Sequence, residues 1–260
     1  MLNINPLLTN IVQGALPIAA ASNLVLYLVS VKTKTNTWVD FGWGFNQFLI
    51  ASYLLYQNPS AKNVVSFSLV TLWAARLCSH MLFNRCLKGE NDVRYEAMAK
   101  RWPSKNVFYF TQFMLQAFLV VFPAIPLYYI FNSSMSMYSA SFIVGSVISV
   151  GSIIGEHVSD KQLAAYVQDK KERGDKTKDL CRVGFWQKSR HPNLFFEVTA
   201  WTGFALMGFS SIKDILVFTG PFSLWFIVYH LTIPITEKVM RKSRPDWKEL
   251  IKGTNRLSPL

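Results

Sequence analysis

The sequence predicts an all-α polytopic membrane protein. It has about seven transmembrane helices, with the N-terminus outside or lumenal and the C-terminus cytosolic. Three observations carry this. Mean hydropathy is positive at +0.22, and 51% of the 260 residues are hydrophobic. Apolar runs of roughly 17–25 residues recur, the length that crosses a bilayer as a helix. Lys and Arg cluster in alternate connections, as orientation by cytosolic positive charge requires.

The spans fall near residues 7–31, 39–56, 64–83, 108–131, 138–155, 194–211 and 214–233. The first has no Lys or Arg before it and is long enough to span, which argues against a cleavable signal peptide. The second opens in TWVDFGWGFNQ. There Trp38 and Trp43 suit an interfacial belt, and Gly42 and Gly44 allow close helix approach. The third ends in LWAARLCSHMLFNR. Trp73, Arg76 and His80 recur on one helical face, which Asn84 continues to the cytosolic end with Arg85 beside it. The fifth leaves the membrane at Glu156, His157 and Asp160, and the sixth begins just after Pro192. No repeat or linker divides the chain, so residues 1–260 form one expected domain; the only long polar stretch is 156–193, and its centre, DKKERGDKTKDL (169–180), reads as a mixed-charge, solvated loop around Gly174.

Charge fixes the expected orientation. Residues 32–37 hold 2 Lys or Arg, 84–107 hold 6, 156–193 hold 9 and 234–260 hold 7. With seven spans, 24 of the 27 cations lie on one face, while six spans would scramble the pattern. The net charge of +12 therefore points to anionic headgroups or an anionic cofactor rather than to nucleic acid. The aromatic residues fall in spans and interfaces, not on a stacking platform. Cys78, Cys86 and Cys181 lack metal-ligand spacing and map to a span or the reducing side, so neither a metal nor a disulfide is expected.

Ionisable groups inside a membrane are costly and are functional candidates by default. Asp40 near the start of the second span fits an N-cap, a functional carboxylate, or both. The Arg76–His80–Asn84 stripe needs a polar interior, either a site or a satisfied network. Asp92 and Arg94 read as a surface ion pair of little energetic weight. Glu156 and Asp160 share a helix face, but without HExxH or a third suitable ligand they do not make a metal site. They suit hydrogen bonds to a cofactor's ribose or amide groups. No GxGxxG or Walker motif is present.

Residues 184–197, GFWQKSRHPNLFFE, concentrate the most chemistry. Pro192 suits a first helical turn, where its missing N–H costs nothing. A helix N-terminus beside Arg190 and His191 can hold phosphate. An interfacial anchor would explain the cations, but not Asn193 or Glu197.

These residues give the chain its resemblance to a membrane family allied to the steroid 5-alpha-reductases, within the 3-oxo-5-alpha-steroid 4-dehydrogenase C-terminal-like superfamily. The matching pieces run from about Trp38 to Pro259. They are W-x-D-x-x-W-G (38–44), W-x-x-R (73–76), E-N-D-x-R-Y (90–95), E-x-x-x-D-x-Q (156–162), G-x-W-x-x-S-R-H-P-N…E (184–197) and the tail SRPDWKELIKGTNRLSP. The R-H-P-N…E element is shared with sterol reductases, trans-2-enoyl-CoA reductases and isoprenylcysteine carboxyl methyltransferases.

The resemblance implies a seven-helix fold with NADPH in a cavity open to the cytosol, and the endoplasmic reticulum as the membrane in a eukaryote. It implies cofactor contacts from Asn84, Asp160, Asn193 and Glu197. Arg190 and His191 follow the wider motif, and Arg85 and Ser189 adjoin these positions and complete the expected set. Asp40 and Arg76 are the expected catalytic pair for a lipid or steroid-like substrate. Trp73 stands where a steroid reductase carries a ketone-polarising Tyr, and Leu194 replaces the Tyr usual after HPN. Reduction of a carbon–carbon double bond conjugated to a carbonyl is the leading expectation. An S-adenosylmethionine-dependent methyltransferase and a non-catalytic lipid-binding protein are the alternatives.

Overall fold

The computed structural model describes the backbone from Ile4 to Leu260 and side chains from Pro6; Met1 to Asn3 lie outside the described residues. It is all-helical, with no strand among the described residues. Long helices are α1 (Pro6–Thr33), α3 (Ala61–Cys86), α5 (Lys105–Asn132), α6 (Ala140–Glu172) and α8 (Ile212–Lys242). These five are long and apolar enough to cross a membrane. Two more long helices, α2 (Trp38–Gln57) and α7 (Pro192–Gly208), fall outside that set. Helix α2 carries Asp40, Asn46 and Gln47, and α7 has 17 residues. Short helices α4 (Val93–Ala99) and α9 (Trp247–Leu250) lie between or after them.

Two expected boundaries change. The expected loop does not begin at 169: α6 continues through 33 residues to Glu172, about 50 Å at 1.5 Å per residue. It ends beside Gly174, whose φ of +64° suits a residue without Cβ. The last span also runs on past residue 233 to Lys242. Both extensions are polar, and the run of apolar residues gives no sign of them.

Prolines set the irregularities. Pro123 has no N–H for the carbonyl of Leu119, and α5 breaks at Val120. Gln47 Nε2 from α2 donates to the Val120 carbonyl beside the break at 2.8 Å. In α8 a π-helical turn, Ile227–Thr232, precedes Pro234.

The core is built on α7, which packs along α6 and against α5 and α8. Trp201, Phe204 and Met207 are fully buried there. Glycine makes the α6–α7 approach possible. A Cβ on Gly203 would lie 2.6 Å from the Gly145 carbonyl, and one on Gly145 would lie 2.5 Å from the Gly203 carbonyl. Small residues at such a seam let backbones touch. This seam sets α7 against the polar end of α6.

The connections separate into two ends. At one, Lys62 Nζ donates to the carbonyls of Ile130 and Ser133. At the other, the backbone N–H of Asn36 donates to Asn91 Oδ1 at 2.7 Å, and Arg182 donates to the Leu250 carbonyl at 2.7 Å. The candidate site opens at this second, cation-rich end.

Candidate functional site

Helices α3, α6 and α7 hold the first polar cluster. The Arg76 guanidinium pairs with Glu156 Oε1 and Asp160 Oδ2. His80 Nδ1 lies 3.7 Å from Asp160 Oδ2 and 3.3 Å from Asn84 Nδ2. Asn193 Nδ2 donates to Asp160 Oδ1 at 3.3 Å. The Arg76–His80–Asn84 face therefore exists, and it binds α6 through the two carboxylates four residues apart. Side-chain exposures of 10%, 5% and 12% for Arg76, Glu156 and Asp160 close this cluster to ligand. Trp73 is fully buried and packs edge-on against Trp201 at 5.2 Å.

A second cluster joins α2 to α4. Thr37 occupies the N-cap of α2, and Asp40 sits in its first turn. The cap expected of Asp40 is therefore not made; the carboxylate turns sideways. Tyr95 Oη donates to Asp40 Oδ1 at 2.8 Å, and Arg94 Nη2 reaches Asp40 Oδ2 at 3.2 Å. Arg94 also grips Asp92 in two bonds, Nε to Oδ1 at 2.9 Å and Nη2 to Oδ2 at 2.8 Å. Arg85 Nη1 adds a third at 3.1 Å. Asp92 is 5% exposed, so the surface ion pair expected here is a buried, bidentate one. Burial raises the Asp92 carboxyl, but the Arg94 hydrogen bonds and charge outweigh it and hold it below its ordinary value.

The third cluster gathers the RHPN motif and the C-terminal segment. Pro192 opens α7 in its first turn, and Glu197 is buried about one turn further in. Arg190 Nε donates to Glu237 Oε1 at 2.8 Å and Nη1 to the Thr254 carbonyl at 2.8 Å. His191 Nε2 lies 3.4 Å from the same Glu237 oxygen. Ser189 Oγ donates to the Leu257 carbonyl at 2.6 Å. This triplet clamps the tail, so much of Arg190's donor capacity is spent inside the protein.

Two cavities adjoin these clusters. The larger, about 630 Å³, opens at the cation-rich end, and Asp40, Arg85, Ser189, Arg190, His191 and Asn193 are in its wall. The smaller, about 230 Å³, lies among the helices, with Glu197, Trp43 and Tyr95 in a wall that is otherwise largely aliphatic. Asp40, Arg94, Met81, Leu194 and Thr232 border both. Arg76, Asn84 and Asp160 line neither.

Sequence reasoning passed over several wall residues. Arg182, Arg244 and Trp247 line the larger cavity. Among the described residues no carboxylate pairs with either arginine. Buried Arg244 Nε and Trp247 Nε1 lack hydrogen-bond partners. The SRPDW run of the tail was their signal. Glu237 gave none, because the apolar run ends before it.

Residues 26–254 match the family described as protein of unknown function (DUF1295), and the chain belongs to that family. The match begins earlier than the motif resemblance and ends close to it. No curated protein and no solved structure matches.

Proposed function

We propose that this DUF1295 member is a membrane-embedded NADPH-dependent reductase of a carbon–carbon double bond conjugated to a carbonyl in a lipid. The observation that carries the reading is the pair of adjoining cavities. One is polar, arginine-lined and open at the charged end; the other is largely apolar and lies among the helices. They share Asp40 and Arg94 at their border. A nucleotide and an apolar acceptor need two such compartments meeting at the reacting atoms.

The larger cavity suits a dinucleotide in its donor chemistry as well as its size. Among the described residues Arg182 and Arg244 are cations without carboxylate partners, and Arg244 Nε and Trp247 Nε1 are buried donors without acceptors. Phosphate oxygens would satisfy such groups. Asn193 and His191 at the start of α7 would flank the ribose or nicotinamide end, with the helix N-terminus favouring negative charge. Bound there, NADPH would supply a hydride to the carbon beta to the carbonyl, and a proton from solvent would complete the reduction at the alpha carbon. The protein's own part is electrostatic. Tyr95 Oη, which donates to Asp40, is the hydroxyl placed to donate instead to a carbonyl oxygen as negative charge develops on it. Arg94 keeps Asp40 beside it, and Leu194 and Met81 exclude water from the border. Arg76 is a structural cation in this reading, not a catalytic one.

In the same reading α2 and α7 also cross the bilayer, making seven passes with the N-terminus lumenal and the C-terminus cytosolic. The cation-rich end then faces the cytosol, and in a eukaryotic cell the membrane is that of the endoplasmic reticulum.

Parallel calorimetric titration with NADPH, NADH and S-adenosylmethionine tests the cofactor. NADPH alone should bind. Binding of S-adenosylmethionine alone overturns the reading in favour of a methyltransferase. Tyr95→Phe should lower kcat for an enone lipid roughly 10²–10³-fold, as loss of one oxyanion donor does. Wild-type turnover in that variant would remove Tyr95 from the chemistry.

A further inference from the structure

Helix α5 lines the smaller cavity with Gln112, Leu115, Gln116 and Leu119. Their spacing of three and four residues puts them on one face. Opposite, α8 presents Leu224, Ile227 and Val228. Two carboxamides thus stand in a largely aliphatic cavity, in a helix apolar enough to cross a membrane.

Other amides in the helices around them use their –NH2 groups, although their carbonyl oxygens are buried without a partner. Gln47 Nε2 donates to the Val120 carbonyl, Asn46 Nδ2 to that of Gly42, Asn23 Nδ2 to that of Ala19 and Asn63 Nδ2 to that of Phe131. Gln112 and Gln116 have no side-chain hydrogen bond among the described residues, and Gln116 Oε1 is buried without a partner. An unmade hydrogen bond of a buried amide costs about 1–3 kcal/mol. What sets Gln112 and Gln116 apart is the nitrogen: their –NH2 groups, unlike those four, take no backbone carbonyl, and both residues line the cavity. The residues are about 6 Å apart along the helix axis, so a single small group can reach both. Leu115 between them is 45% exposed and lines the same cavity, which is therefore open beside α5.

We propose that Gln112 and Gln116 form a second recognition point, for a neutral hydroxyl on the chain of the lipid whose conjugated carbonyl meets Asp40 and Tyr95. The proposal rests on the reductase reading of this cavity. A hydroxyl both donates and accepts, as does a carboxamide, and no cation or carboxylate stands on the α5 wall to favour a charged group. The substrate class is therefore an oxygenated lipid enone, held at two polar points with its tail leaving past Leu115.

The test uses full-length protein in nanodiscs and 3-decylcyclohex-2-enone, together with versions hydroxylated at successive chain carbons. Quenching of tryptophan fluorescence reports binding without cofactor, since Trp43 lines the cavity. One hydroxyl position should tighten binding about tenfold or more over the parent enone. Gln112→Leu/Gln116→Leu makes α5 more apolar and should still fold; in it the advantage should vanish. Equal binding of all probes, no binding of any, or a preference that survives in the double variant overturns the proposal. NADPH oxidation by the wild type with the parent enone is measured separately. A hydroxyl preference lost in the variant, without any reduction, would retain the glutamine site and discard the reductase.

Discussion

Gly203→Ala puts the smallest possible side chain into the contact that aligns the site. The new Cβ would lie 2.4 Å from Ser149 Oγ and 2.6 Å from the Gly145 carbonyl oxygen. An ordinary contact begins at 3.4 Å. The shortfall is thus about 1.0 Å against the hydroxyl and about 0.8 Å against the carbonyl. The hydroxyl can rotate away, but the carbonyl belongs to the α6 backbone and cannot. Helices α6 and α7 must part by nearly 1 Å, and overpacking of this kind costs about 1–3 kcal/mol. For a chain of this size that lowers the melting temperature by roughly 2–12 °C. Asn193 and Asp160 sit on the two separated helices, and their bond is already 3.3 Å long. A further ångström removes it, so NADPH affinity should fall about tenfold. Thermal unfolding in detergent and calorimetric titration read the two effects. Adding Ser149→Gly relieves the hydroxyl contact alone and should not rescue. Wild-type melting in Gly203→Ala, or full rescue by Ser149→Gly, would refute the backbone contact as the cause.

Two further outcomes follow from the polar clusters. Arg76→Leu strands Glu156 and Asp160 at low exposure and should destabilise by about 3–5 kcal/mol. Replacing all three with leucine should recover most of that loss in the same unfolding assay; a catalytic Arg76 would instead leave melting intact and abolish turnover. Asp92 titrates below the ordinary aspartate value of 3.8. A depressed carboxyl contributes stability that is present above the unfolded value and is lost as pH falls through the folded one. The acid limb of the melting-temperature profile below about pH 4 should therefore flatten in Asp92→Asn, and an unchanged limb would show that Asp92 does not titrate with unfolding.

The helices were legible because apolar length and helical period are local properties of sequence. Arg76, His80 and Asn84 fell on one face as their spacing required, and Glu156 and Asp160 on another. That the first face binds the second could not be read, because pairing across α3 and α6 depends on packing set by distant glycines. Asp40 misled for a related reason. Its place at a helix start has a local explanation as a cap, whereas its actual partners, Tyr95 and Arg94, lie more than fifty residues away. The polar extensions of α6 and α8 were hidden because apolarity ceases before the helix does, and with them went Glu237. The RHPN motif was found by its composition, but its engagement with the tail is a tertiary fact.

The Arg76 pairing also constrains how the protein is made. Helix α3 carries its cation into the membrane before α6, with both carboxylates, has been synthesised. An arginine near the centre of a spanning helix opposes insertion by about 2.5–3.5 kcal/mol, and here the compensating groups arrive later in translation. Until α6 emerges, the apolar residues of α3 alone offset that cost.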